Sequence, residues 1–199
     1  MDGETRKIGS VCVYCASSTK IDRCFVDAAS NLGAALAARG INVVNGAGGI
    51  GLMRTLSDAA LAAGGTVTGV IPRFMVEQGW QHDGLTRLVV TDDMHERKQL
   101  MASMSDAVVA LPGGCGTMEE LLEIITWKQL GLYLKPIIIL NVDSFYDPLL
   151  AMLGRAVERH FMREQHRALW TVASSVDEAV AKLYTTPDWD AGLRKFAAI

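Results

Sequence analysis

The chain has no large excess of charge of either sign. Nineteen basic and 22 acidic residues among 199 leave a formal net charge of −3. There is no basic stripe and no basic patch interleaved with aromatics, so nucleic acid is not an expected partner. No apolar run is long enough to cross a bilayer, and the polar start, Met1–Lys7, carries no apolar signal core. A cytoplasmic protein with no membrane partner is expected. Cysteine is sparse, at Cys12, Cys15, Cys24 and Cys115. Cys12 and Cys15 make a C-x-x-C, but no second C-x-x-C or H-x-x-x-H adds metal ligands, so no metal site is expected. Both lie in an apolar run that reads as a strand, where an offset of three sends them to opposite faces. They read as buried free thiols, which suits a reducing compartment. Two catalytic signatures are also missing. Without G-x-x-x-x-G-K-[ST] the chain is no P-loop NTPase, and without G-x-S-x-G an α/β-hydrolase is not expected.

What the chain does have is a regular alternation of short apolar runs and longer helical patterns. Half of its residues are hydrophobic, enough for one domain over residues 1–199 with its own core. Strands are expected at Ile8–Tyr14, Ile41–Val44, Thr66–Ile71, Thr86–Val90, Ala107–Leu111, Lys135–Asn141 and Leu169–Ala173. Helices are expected at Phe25–Ala38, Gly51–Ala63, Met94–Ser105, Thr117–Leu130, Tyr146–His160 and Val176–Tyr184. Phe74–Gly84 is less regular and reads as a loop. The strands are apolar throughout, not alternating, which implies burial on both faces and a parallel sheet between helix layers. The expected fold is α/β, a single doubly wound Rossmann-like domain with a mainly parallel sheet. Its site should lie beyond the carboxyl ends of the strands.

Two glycine-rich turns fall at such ends. Gly46-Ala47-Gly48-Gly49-Ile50-Gly51 satisfies G-x-G-x-x-G and opens a helix, where free N–H groups and the dipole favour an anion. A dinucleotide site would want an acid some 20 residues on, and Pro72-Arg73 stands there instead. Phosphate contacts from Gly48, Gly49 and Gly51 are therefore better supported than NAD, and no cofactor is expected. The second turn is Pro112-Gly113-Gly114-Cys115-Gly116-Thr117-Met118-Glu119-Glu120. Its T-x-x-E, Thr117 and Glu120, is open to two readings. One is a helix capping box; the other is a carboxylate at the mouth of an anion site, able to stabilise a sugar cation or orient water. Ser17 and Ser18, after the first strand, are candidates for contacts to ribose or base.

Met94-His95-Glu96-Arg97-Lys98 opens another helix. Two cations near a helix start run against the dipole, which favours an anionic ligand compensating them over a merely solvated face. Met94–Lys98, Leu111–Glu120 and Thr126-Trp127-Lys128-Gln129-Leu130-Gly131 together resemble the Lonely Guy family. Its P-G-G-x-G-T-x-x-E motif is matched by Pro112–Glu120, its G-L-M by Gly51–Met53, its G-V-I-P by Gly69–Pro72, and its K-P and L-N-V-D segments by Lys135-Pro136 and Leu140–Asp143. The likeness runs from about Val11 to Leu183.

The resemblance implies a Rossmann-like subunit in at least a homodimer, with sites near the interface. It implies hydrolysis of cytokinin riboside 5′-monophosphates to free base and ribose 5-phosphate. Arg97 and Glu120 match its catalytic positions. Lys98, the segment Gly114, Cys115, Gly116, Thr117, Met118, Glu119, Glu120, and Thr126 match its substrate-contacting ones. The chain departs from the family at Asn45-Gly46-Ala47-Gly48, where Y-G-G-G is usual, at Arg54 in place of a glycine, and near the I-P segment, where Glu77 is the candidate for a substrate-contacting acid. A general AMP nucleosidase and a non-catalytic nucleotide or cofactor carrier of similar fold are the rival readings. A pyridoxal phosphate decarboxylase would need a Schiff-base lysine, for which Lys98 is the candidate. Independently, the Thr117–Leu130 helix carries more apolar residues than one face holds, which also favours a dimer.

Overall fold

The computed structural model describes residues 6–190 and 192. Its first strand, β1 (Ser10–Tyr14), shows why the molecule is layered. Val11 and Val13 pack into one apolar cluster, Cys12 and Tyr14 into a second on the opposite face. A strand that is apolar at nearly every position has to be covered on both sides. The chain supplies that cover through α1 (Arg23–Ala37), β2 (Asn42–Asn45), α2 (Gly51–Ala62), β3 (Val67–Pro72), α3 (Arg73–Glu77), β4 (Arg87–Thr91), α4 (Met94–Ser103), β5 (Ala107–Ala110), α5 (Cys115–Gln129), β6 (Ile137–Leu140), α6 (Asp147–Glu158), β7 (Thr171–Ala173) and α7 (Val176–Thr185). Helices α1, α2 and α7 cover the Val11 face; α4, α5 and α6 cover the Cys12 face.

The seven strands form one sheet in the order β4-β3-β2-β1-β5-β6-β7, and every pairing is parallel. The winding reverses between β1 and β5, where Tyr14 pairs with Ala110. Chains leaving these two strands diverge to opposite faces, so a crevice opens above their carboxyl ends. Tyr146 fixes one lip of it, its buried hydroxyl donating to the Leu111 carbonyl at 2.7 Å. Asn141 in turn places Tyr146 by accepting from its backbone N–H at 2.7 Å.

Two boundaries differ from the sequence reading in ways that matter. Helix α5 starts at Cys115, with Gly114 as N-cap, so Thr117 lies inside the first turn and makes no capping hydrogen bond. The capping-box reading of Thr117 and Glu120 is therefore wrong. The segment read as a loop, Phe74–Gly84, holds most of the short helix α3 before it returns to the sheet.

Candidate active site

A cavity of about 650 Å³ occupies the crevice between the β1 and β5 ends. On one side it presents Arg97 and Glu120, which form an ion pair at 3.5 Å. Helix α4 brings Arg97 in from above β3: its Nε donates to the Val70 carbonyl at 3.1 Å. Glu120 comes from the second turn of α5. Arg97 and Glu120 are only 7% and 9% exposed. Gly46 makes this possible, because a Cβ there would lie 1.8 Å from Arg97 Nη2. Burial pushes the Glu120 carboxyl up to about 7, against the opposing pull of the Arg97 guanidinium. A carboxyl poised near neutrality beside a fixed cation can hold a proton or a negative charge at little cost.

The start of α5 forms the adjoining wall, with Gly114, Cys115, Gly116 and Thr117 lining the cavity. Among the described residues, no hydrogen bond engages the N–H groups of Cys115, Gly116 or Thr117. Three free donors at a dipole's positive end are chemically suited to receive an anion. A Cβ at Gly114 or Gly116 would meet no protein atom within 4 Å. The fold therefore does not demand glycine at either position, whereas close approach by a ligand would. Ser17 and Ser18 line the same cavity.

The first glycine turn, expected as a phosphate cradle, also braces the segments around it. Leu52 and Met53 N–H groups, at the start of α2, donate to the Ala16 carbonyl at 2.9 and 3.3 Å, and Gly49 N–H donates to the Trp80 carbonyl at 2.8 Å. Gly51, at φ +64°, packs against the Ser17 backbone, and a Cβ at Gly49 would lie 2.8 Å from the Gln81 carbonyl. Gly48 lines the cavity; Gly49 and Gly51 do not. The turn joins three segments: the Gly49, Leu52 and Met53 N–H groups are spent on them, while no hydrogen bond among the described residues engages those of Gly48, Ile50 or Gly51. Asn45 shapes it, accepting from Ala47 N–H and donating to Ser57 Oγ.

Lys98 lies outside the cavity lining. The residue is 6% exposed, and its ammonium pairs with Glu119 and with Glu123 at 3.0 Å. Burial alone would lower its pKa, but the hydrogen bonds it donates to Glu119 and Glu123 outweigh it and the net shift is upward. A Schiff-base lysine needs the neutral amine, so the geometry does not fit pyridoxal phosphate on Lys98. The dipole argument for this pair is also superseded. The N-cap Asp93 accepts from His95 and Glu96 N–H groups, which settles the α4 terminus, and acids of α5 balance both cations. Met118 and Glu119 stand beside the lining, and exposed Thr126 lies further along α5, its hydroxyl donating to the Leu122 carbonyl. Arg54 is exposed, tied to Asp58 and to the Gly49 carbonyl, and exposed Glu77 is not in the lining. Sequence reasoning missed the apolar wall: Ile50, Met53, Ile71, Met75, Trp80 and Met94. No motif marks these residues; only the fold gathers them.

A family model described as possible lysine decarboxylase matches residues 53–183. The cytokinin riboside 5′-monophosphate phosphoribohydrolase LOG5 of Arabidopsis thaliana is 44% identical over 173 residues, 87% of this chain and 76% of its own. LOG of Oryza sativa subsp. japonica, with the same activity in its name, is 43% identical over 193 residues, 96% of this chain and 80% of its own. Among solved structures, the molybdenum cofactor carrier protein of Chlamydomonas reinhardtii superposes with a TM-score of 0.67 at 22% identity, covering 89% of this chain and 96% of that one. The molybdenum cofactor binding protein of Rippkaea orientalis gives 0.67 at 22%, over 88% and 94%. At that identity the structures speak for the fold alone. With its P-G-G-C-G-T-M-E-E turn at the head of α5 and its relatives at over 40% identity across most of their length, the chain belongs to the Lonely Guy family of phosphoribohydrolases.

Proposed function

We propose that the protein hydrolyses the N-glycosidic bond of N6-modified adenosine 5′-monophosphates, releasing free base and ribose 5-phosphate. The observation that carries this reading is the buried Arg97–Glu120 pair beside a helix start with three free N–H donors. The 5′-phosphate is held by Cys115, Gly116 and Thr117 N–H groups, with the ribose toward Glu120. The C1′–N9 bond breaks with its electron pair leaving on the base, and water oxygen adds to C1′. The sugar passes through an oxocarbenium-like state, as in other glycoside hydrolyses. Ionised Glu120 stabilises that cation and takes a proton from the attacking water, while Arg97 holds the substrate and balances the carboxylate. The departing base takes up one proton from solvent, and Glu120 returns the proton it took from the attacking water to solvent, so the overall reaction consumes one water.

The reading includes a homodimer. Leu122 and Thr126 of α5 and its C-cap Leu130 recur every four residues, and all three are exposed. That stripe points away from the chain's own cavity, so Thr126 reaches a substrate only across a subunit boundary. The reading also places the protein in the cytoplasm, which agrees with four free cysteines. Its test is chromatography of products from a panel of nucleoside monophosphates and the matching nucleosides. The monophosphates should yield free base and ribose 5-phosphate, and nucleosides should react far more slowly. Equal kcat/KM for adenosine and AMP would remove the phosphate assignment, and tight binding without products would favour a carrier.

A further inference from the structure

The cavity is chemically two-sided. Its polar side holds Arg97, Glu120, the serines and the free donors of α5. Its other side is apolar, with Ile50, Met53, Met75 and Trp80. Trp80 is 55% exposed, although it lines the cavity. The segment that carries it is not loose. Trp80 N–H donates to the Met75 carbonyl at 3.2 Å, and its carbonyl accepts from Gly49 at 2.8 Å. Gln81 forms a bridge with Gly48, and His82 N–H donates to the Ala47 carbonyl at 2.8 Å. His82 Nε2 bonds Asp58 on α2 at 2.8 Å, and its Nδ1 accepts from Gly84 N–H. The first glycine turn thus clamps the backbone of this segment, and Trp80 lines the cavity from it.

We propose that Trp80 is the specificity-determining residue for the base, selecting adenosine 5′-monophosphates whose N6 carries an apolar substituent over AMP itself. This rests on the reading above that a nucleoside monophosphate occupies the cavity. The phosphate is drawn to the start of α5, where the N–H groups of Cys115, Gly116 and Thr117 are free among the described residues, whereas those of Gly49, Leu52 and Met53 are spent on neighbouring carbonyls. The base is then left facing the apolar side. An unsubstituted N6 amine would bring two N–H donors against Trp80, Met53 and Met75 without acceptors there, which is unfavourable. An alkenyl or benzyl group replaces one donor with apolar surface that the indole and the adaptable methionines cover. A preset aromatic wall loses little freedom on binding, so the contact is retained as affinity.

The test measures affinity for N6-isopentenyl-AMP and for AMP by calorimetry in the Glu120→Gln background, where turnover does not interfere, and kcat/KM for both in the active protein. With Trp80→Ala the preference for the substituted nucleotide should fall by roughly tenfold or more, the range that one lost hydrophobic contact spans in substrate discrimination. It should appear in KM more than in kcat, and Trp80→Phe should restore most of it. An unchanged ratio, or equal weakening of both nucleotides, overturns the assignment. Loss of turnover on both nucleotides in the wild type, with the binding preference intact and Trp80-dependent, would count against the hydrolase reading and leave this one standing.

Discussion

Glu120 sits where two requirements conflict. Its burial favours the neutral acid and Arg97 favours the anion, and the balance puts its pKa about 7. If the ionised form works, kcat/KM rises with pH through a limb about 7. Glu120→Gln should remove that limb and lower kcat by roughly a hundredfold or more, the scale of lost acid–base or electrostatic assistance. A limb that falls through the same pH would instead make Glu120 the general acid. The stability consequence has a definite sign. A carboxyl raised in the folded state stabilises the fold below about 4.5, and that contribution is lost as pH rises through about 7. The Gln variant should therefore gain on the wild type across that window in urea midpoints. A second buried charge lies elsewhere. Lys128, 1% exposed, makes no hydrogen bond among the described residues, and burial lowers its pKa to about 8. An uncompensated ammonium opposes folding, so Lys128→Met should be more stable near pH 7 by about 1–3 kcal/mol. The wild type should close the gap as pH rises from about 8 toward 10.5, because its unfolded chain then binds the extra proton. A less stable Met variant would show that Lys128 has a partner it needs.

At the scale of elements, two glycines that look alike in sequence serve opposite ends. Gly46 makes room for the Arg97 guanidinium, whereas Gly116 borders open space at the start of α5. Gly46→Ala should displace the end of a flexible side chain, so activity falls well before stability does. Gly116→Ala should stabilise α5 by about 0.5–1 kcal/mol through helix propensity. It should also raise KM for a 5′-monophosphate roughly tenfold, because each 1.4 kcal/mol of lost contact is a factor of ten. If KM stays put while melting temperature rises, the phosphate binds elsewhere. The element pattern itself was readable, because continuously apolar strands and helical periodicity leave little choice of layering. The start of α5 was less so: Thr117 and Glu120 have capping-box spacing, and only the placement of Gly114 as N-cap shows that the box is unused. Arg97 and Lys98, expected to meet an anion, both pair with acids of α5, which lie more than 20 residues away in sequence.

For the whole molecule, the exposed stripe Leu122–Thr126–Leu130 on α5 is joined by Leu132, and Leu88 and Val90 are exposed on the edge strand β4. Apolar groups of this kind favour association. Light scattering at micromolar concentration should report a dimer or larger assembly. A Leu122→Lys, Leu130→Lys double variant should dissociate and lose activity in parallel. A monomer with full activity would remove both the dimer and the role of Thr126 across it.

The sequence by itself determined the doubly wound parallel sheet, because strands that are apolar on both faces must be covered. It singled out Arg97 and Glu120 through the motifs shared with the Lonely Guy family, and the glycine-rich helix starts as places that favour an anion. What only the tertiary structure decided is how each of those groups is used. It brought Arg97 within 3.5 Å of Glu120, engaged Lys98 with Glu119 and Glu123, and turned the first glycine motif into a clamp for the Trp80 segment. The physical reason is that hydrogen-bond donors and buried charges are satisfied by whatever the fold brings near them. Their partners come from strands and helices that no spacing along the chain identifies.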